Sequence, residues 1–129
     1  MTRPGRGGVA RVVRSADFVA DLRTTLGISE ENWGRDGRVR YALLIERALV
    51  DLAGDPGRTG VREVPGAADA FGYHLRHSRN GVPAGQRVGR PRHAVFFRLD
   101  DRGTVLHLLR LLHDRMLPDP WLPPPDDAL

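Results

Sequence analysis

"RHAVFFRLDDRGTVLHLLRLLHDRM", residues 92–116, is the stretch whose reading decides how this chain folds. Its first half, "HAVFFRL" at 93–99, is a dense run of valine and aromatic residues without a breaker, which predicts a strand buried on both faces. "DDRG" at 100–103 then reads as a tight turn. The second half is ambiguous. Val105, Leu108, Leu109, Leu112 and Met116 recur at helical spacing, yet a short apolar run directly after a turn fits the return strand of a hairpin equally well.

Working back from this stretch, "NGVPAGQRVGRP" at 80–91 is a long turn and "FGYHLRHSR" at 71–79 alternates as a strand does. Tyr41, Leu44, Ile45, Ala48, Leu49 and Leu52 form the cleanest helical stripe in the chain, stopped by "GDPG" at 54–57. An earlier helix is predicted after "VARVVR" at 9–14, itself a short β-branched run. Ser15 is its N-cap, Asp17 lies in its first turn, Phe18, Val19, Leu22 and Leu26 share one face, and Gly27 suits its C-terminal end. Ser29, Glu30 and Glu31 resemble a second start, which "GRDGR" at 34–38 interrupts. Residues 1–8 read as a flexible basic arm and 9–116 as one domain. Residues 117–129 read as a proline-rich tail that neither a helix nor a central strand accommodates, so truncation after Met116 is expected to cost little stability.

At 129 residues there is room for a single core. The chain has no cysteine, which removes disulfides, thiolate catalysis and cysteine-ligated metal, and fits a reducing cytoplasm. All 20 of its Lys+Arg positions are arginine against 16 acidic residues, a formal charge of +4 that points to nucleic acid or an acidic partner. A GC-rich coding sequence accounts for arginine in place of lysine, but not for the excess of positive charge. No apolar run approaches the roughly 20 residues of a membrane span, and no signal peptide is read at the start, so no membrane partner is expected. His74, His77 and His107 lack metal-site spacing and carboxylate company. Neither a metal nor a cofactor is expected.

An aromatic-aromatic-arginine-aliphatic-Asp strand is followed here by a turn and a run ending in Leu-His: Phe96, Phe97, Arg98, Leu99 and Asp100, then Leu112 and His113. With the element order before it, this resembles the RelE/ParE superfamily of bacterial toxins, and the ParE branch in particular. The likeness is good over 90–116 and looser over 9–79, and it departs from the pattern in the long turn 80–90 and the tail. It implies that 104–112 is a strand. The fold class it implies is α+β: an N-terminal strand, a two-helix hairpin, then a three-stranded antiparallel β-meander.

Members of the superfamily either cut mRNA on the ribosome or, as ParE-like toxins, poison DNA gyrase by contact. The resemblance therefore implies the toxin of a type II toxin–antitoxin pair, with a cognate antitoxin as partner and DNA gyrase as target. The alternative is a ribosome-dependent mRNA endonuclease acting without metal, whose partners are ribosome and mRNA. A third reading is a non-toxic, basic nucleic-acid-binding module of the same fold. Whether the chain is an enzyme stays open at this point.

If it cuts RNA, the absence of lysine and cysteine leaves the work to His93, His113 and Arg115. His93 lies near where nuclease members carry a basic residue, and His113 where some carry a histidine. The C-terminal tyrosine of some nuclease members is missing, since the only tyrosines are Tyr41 and Tyr73. Arg76, Arg92, Arg98 and Arg110 are candidates for binding phosphate or a partner, with Arg98, flanked by Phe97 and Leu99, read as paired or snorkelling.

Overall fold

The computed structural model describes residues 8–125. Apart from Gly8, the arm expected over 1–8 therefore lies outside the described residues, as do the last four residues of the tail. Strand β1 (Arg11–Arg14) leads through Ser15 into helix α1 (Ala16–Gly54). Ser15 holds extended backbone and its Oγ accepts the Phe18 N–H at 3.0 Å, so it caps the helix as the sequence predicts. Gly27 does not end the helix. A glycine inside a helix costs only about 1 kcal/mol, too little to stop one by itself. The interruption falls at Gly34, whose φ of 73° and ψ of −172° lie far from helical values.

At 1.5 Å per residue, a straight helix would set Phe18 and Ile45 about 40 Å apart. The turn at Gly34 instead brings both into one core, and Arg14, just before the helix, reaches Glu46 at 3.2 Å.

Four further strands follow: β2 (Arg62–Glu63), β3 (Phe71–His74), β4 (His93–Leu99) and β5 (Val105–His113). They build one sheet with β1 in the order β1-β5-β4-β3-β2, antiparallel throughout except that β1 runs parallel to β5. This corrects the expected fold. The α+β class holds, but one long helical element, kinked at Gly34, spans Ala16–Gly54 in place of a two-helix hairpin, and the sheet is five-stranded and mixed in place of a three-stranded antiparallel meander. The strand expected over 71–79 ends at His74, where the backbone enters a 3-10 segment (Leu75–Gly81).

The β4–β5 ladder contains one irregularity. Phe97 pairs with Leu108 but Phe96 pairs with Arg110, so Leu109 is an extra residue, a β-bulge. The backbone groups that it displaces are taken up by the start of α1. Ser15 Oγ donates to the Leu109 carbonyl at 2.9 Å, and Asp21 Oδ2 accepts the Leu111 N–H at 3.0 Å while Arg110 clasps the same carboxylate at 2.7 and 2.9 Å. The bulge also resets which side chains face the helix. Leu106, Leu108 and then Leu111 enter the main core with Phe71, Tyr73, Val95 and Phe97 from the sheet and Phe18, Leu44, Ile45 and Leu52 from α1.

The opposite face of the sheet carries a smaller cluster of Val64, Ala70, Phe96 and Leu112. The proline-rich segment covers it: Leu122 packs on this cluster, Trp121 lies under the Arg110 guanidinium, and the Pro123 carbonyl accepts from Arg98 Nη1 at 2.6 Å. Arg98 is 2% exposed, so loss of that carbonyl leaves a buried guanidinium short of an acceptor. The expectation that the tail is dispensable is revised accordingly. No helix of the described residues is long and apolar enough to cross a membrane.

Two of the glycines of α1, Gly27 and Gly34, make opposite predictions for the same substitution, since a Cβ at either would meet nothing within 4 Å. Gly34→Ala is expected to destabilise by about 1–3 kcal/mol, because its backbone region is one that essentially only glycine occupies. Gly27→Ala, on helical backbone, should stabilise by about 0.5–1 kcal/mol. Urea unfolding of the two variants reads both signs, and a stabilising Gly34→Ala would remove Gly34 as the point of interruption.

Candidate functional site

The start of β4 and the end of β5 meet at one edge of the sheet, and the register sets His93 directly opposite His113, their rings edge to face with centroids 5.3 Å apart. The second half of α1 reaches them through Tyr41, whose hydroxyl accepts the Arg92 N–H at 3.1 Å and lies 2.6 Å from His93 Nδ1. Among the described residues the hydroxyl has no other acceptor for its own hydrogen, so Tyr41 donates to His93 Nδ1 and the imidazole carries its proton on Nε2.

The same pattern recurs at two further histidines. His113 Nδ1 accepts the Arg115 N–H at 3.1 Å, and His74 Nδ1 accepts the Arg76 N–H at 3.1 Å. Each neutral ring is thereby an Nε2–H donor, and that of His74 donates to Asp114 Oδ2 at 3.1 Å. Asp114 Oδ1 lies 3.4 Å from Arg92 Nη2 and also 3.4 Å from His113 Nδ1, where a hydrogen bond forms only if that ring takes a second proton.

Burial, assisted by the neighbouring charge of His113, pushes His93 down to about 4. Burial likewise lifts Tyr41 to about 12, against the opposing hydrogen bond from Arg92, so its hydroxyl stays a donor. Burial would raise Asp114, but the hydrogen bond from His74 and the charges of Arg92 and His113 hold it below the ordinary carboxylate value.

Of the residues singled out in the sequence, His93, His113, Arg92 and Arg76 gather at this edge, and Arg115 contributes its backbone N–H. Arg98 and Arg110 do not join them. Arg98 is buried on the opposite face with its donors on the Ala68 and Pro123 carbonyls, in keeping with a paired arginine, and Arg110 is committed to Asp21. Sequence reasoning missed Tyr41, His74, Asp114, Arg79 and Arg90. Tyr41 was counted as an apolar stripe position, although a hydroxyl on such a stripe needs a partner. Arg79 and Arg90 belong to stretches read as strand and connection.

Beside the histidines lies an open cleft of about 420 Å³ lined by His74, Arg76, Arg79, Gly89, Arg90, Pro91, Arg92 and Asp114. Its one carboxylate faces four guanidinium groups. Chemically, the edge offers hydrogen-bond donors and positive charge, with little capacity to accept a proton. No protein-family model matches the chain, and no curated protein does.

The depressed His93 pKa predicts a stability change in a defined pH window. Above about pH 6.5 the ring is neutral folded and unfolded, and its contribution is fully present. As pH falls from there to about 4, the unfolded chain binds a proton that the folded chain refuses, and stability declines by up to about 3 kcal/mol. His77, also lowered by burial, adds to the same window. Urea unfolding at several pH values, with His93→Gln beside the parent, isolates the His93 share. Parallel curves for the two proteins would contradict the assignment.

Proposed function

We propose that the chain is the toxin of a type II toxin–antitoxin pair, ParE-like, which acts in the cytoplasm by contact with DNA gyrase. The resemblance over 90–116 supplies the toxin reading. What supports contact over RNA cleavage is a single observation: the Nδ1 lone pairs of His74, His93 and His113 are all occupied.

RNA cleavage needs a group to take the proton of the 2′-hydroxyl, and an imidazole whose free nitrogen carries hydrogen can only donate. Asp114 is held below the usual carboxylate range and engaged by His74 and Arg92, which makes it a weak base. Arg98 and Arg110, which would have carried phosphate charge, are bound elsewhere. The endonuclease reading keeps one supporting observation, the direct pairing of His93 with His113. As for the antitoxin, Ile28, Trp33, Val39, Leu43 and Val50 are exposed along α1, and Val12 on the edge strand β1, apolar surface of the kind that a segment folding on contact covers.

The test is induced expression with transcript mapping, run beside a gyrase supercoiling assay on the purified protein. Supercoiling should be inhibited almost equally by the parent and by His113→Gln, with no new transcript ends. Codon-specific cleavage that drops by about 10²- to 10⁴-fold in the glutamine variant, the weight of a general acid-base group, would overturn the proposal in favour of the endonuclease.

A further inference from the structure

Half of the residues lining the basic cleft, His74, Arg76, Arg79 and Gly89, lie in chain that the family resemblance covers loosely or not at all. The charge of the cleft is only partly compensated, since its one carboxylate, Asp114, pairs with Arg92 alone among its arginines. Among the described residues, Arg14, Arg38, Arg47, Arg58, Arg92 and Arg110 each have a carboxylate within ion-pairing distance, whereas Arg76, Arg79 and Arg90 have none. Three like charges gathered in a concavity repel one another until an anion enters.

Arg92 Nε is buried, as is Arg58 Nε, and neither has an acceptor among the described residues, so what Arg92 offers to an anion in the cleft is its terminal nitrogens. Arg79, meanwhile, is held in place by its Nε, which donates to the Val88 carbonyl at 2.6 Å, and its terminal nitrogens remain available.

The geometry points to a phosphate-binding site in this cleft, formed by His74, Arg76, Arg79, Arg90 and Arg92. Elsewhere in the protein carboxylates engage one or two guanidiniums, Asp21 the fork of Arg110 and Asp51 the side chains of Arg47 and Arg58. Four arginines, from the 3-10 segment and from the connection, line the cleft and outnumber what one carboxylate engages, which suits a tetrahedral anion with oxygens on several sides. A cleft of about 420 Å³ has room for more than the phosphate alone, so the group arrives on a nucleotide as a terminal monoester or within a single strand as a diester. Binding of this kind needs no general base and does not depend on the toxin reading.

Isothermal titration calorimetry on the full chain at fixed ionic strength tests the site with inorganic phosphate, adenosine monophosphate, a single-stranded oligonucleotide lacking terminal phosphate, and hexaglutamate. The variants are Arg76→Gln with Arg90→Gln, both exposed and outside the core, and, as a control for general charge, Arg23→Gln with Arg40→Gln on α1. A phosphate-bearing probe should bind, and the first pair should weaken it by about tenfold or more, as expected for lost charge-assisted hydrogen bonds, while the control pair leaves it unchanged. Binding of phosphate and adenosine monophosphate without the oligonucleotide assigns a monoester; oligonucleotide binding through the same arginines assigns a diester. Absence of binding by every phosphate probe, equal weakening by both variant pairs, or tighter binding of hexaglutamate overturns the site.

Discussion

The extra residue in β5 is the constraint on which the arrangement depends. Counted from the turn, Leu99 pairs with Leu106 and Phe97 with Leu108; continued without interruption, that register would bring Leu112 opposite His93. Leu109 shifts it by one, and a one-residue shift exchanges the two faces of everything beyond it. Leu111 therefore enters the core against the helix, Leu112 joins the small cluster under the tail, and His113 faces His93. A bulge exposes backbone groups that must find partners. Ser15 and Asp21 provide them, so the cap of the helix, the register of the hairpin and the pairing of the histidines are aspects of one set of hydrogen bonds.

At the far end of the hairpin the same economy decides the chemistry. Tyr41 brings the helix to the sheet edge with a hydroxyl that accepts from Arg92 and donates to His93, and backbone N–H groups two residues downstream do for His74 and His113 what Tyr41 does for His93. Three imidazoles with their lone pairs filled make an edge of donors. Four arginines line the adjoining cleft and reinforce that character. Such an edge presents donors and positive charge, with the Asp114 carboxylate engaged by His74 and Arg92.

Much of this was legible in the sequence, and the parts that were not have physical causes. "HAVFFRL" declares a strand through composition, Ser15 declares a cap, and the stripe from Tyr41 to Leu52 declares a buried helical face. The leucine run after "DDRG" looked helical because the bulge breaks strict alternation, and only the resemblance favoured a strand there. The interruption read at "GRDGR" does fall there, at Gly34, whereas Gly27, read as a helix end, lies within the helix; the turn at Gly34 brings Phe18 and Ile45 together. Nothing local announces that β1 will lie parallel to β5, since that pairing spans most of the chain. The closeness of His93 and His113 could be argued from hairpin geometry, but Tyr41, His74 and the arginines at 79 and 90 come from elements whose approach depends on the whole fold. The tail misled because proline forbids regular structure without forbidding packing, and Leu122 and Pro123 use that freedom.

The central claim is that the histidines at this edge are donors. Long-range ¹H–¹⁵N correlation spectra of the imidazole rings, recorded on the intact chain at neutral to mildly alkaline pH, read each tautomer directly. His74, His93 and His113 should all appear with hydrogen on Nε2 and an unprotonated, hydrogen-bonded Nδ1. A ring at position 93 or 113 with hydrogen on Nδ1 and a free lone pair on Nε2 would restore a general base to the site and contradict the account.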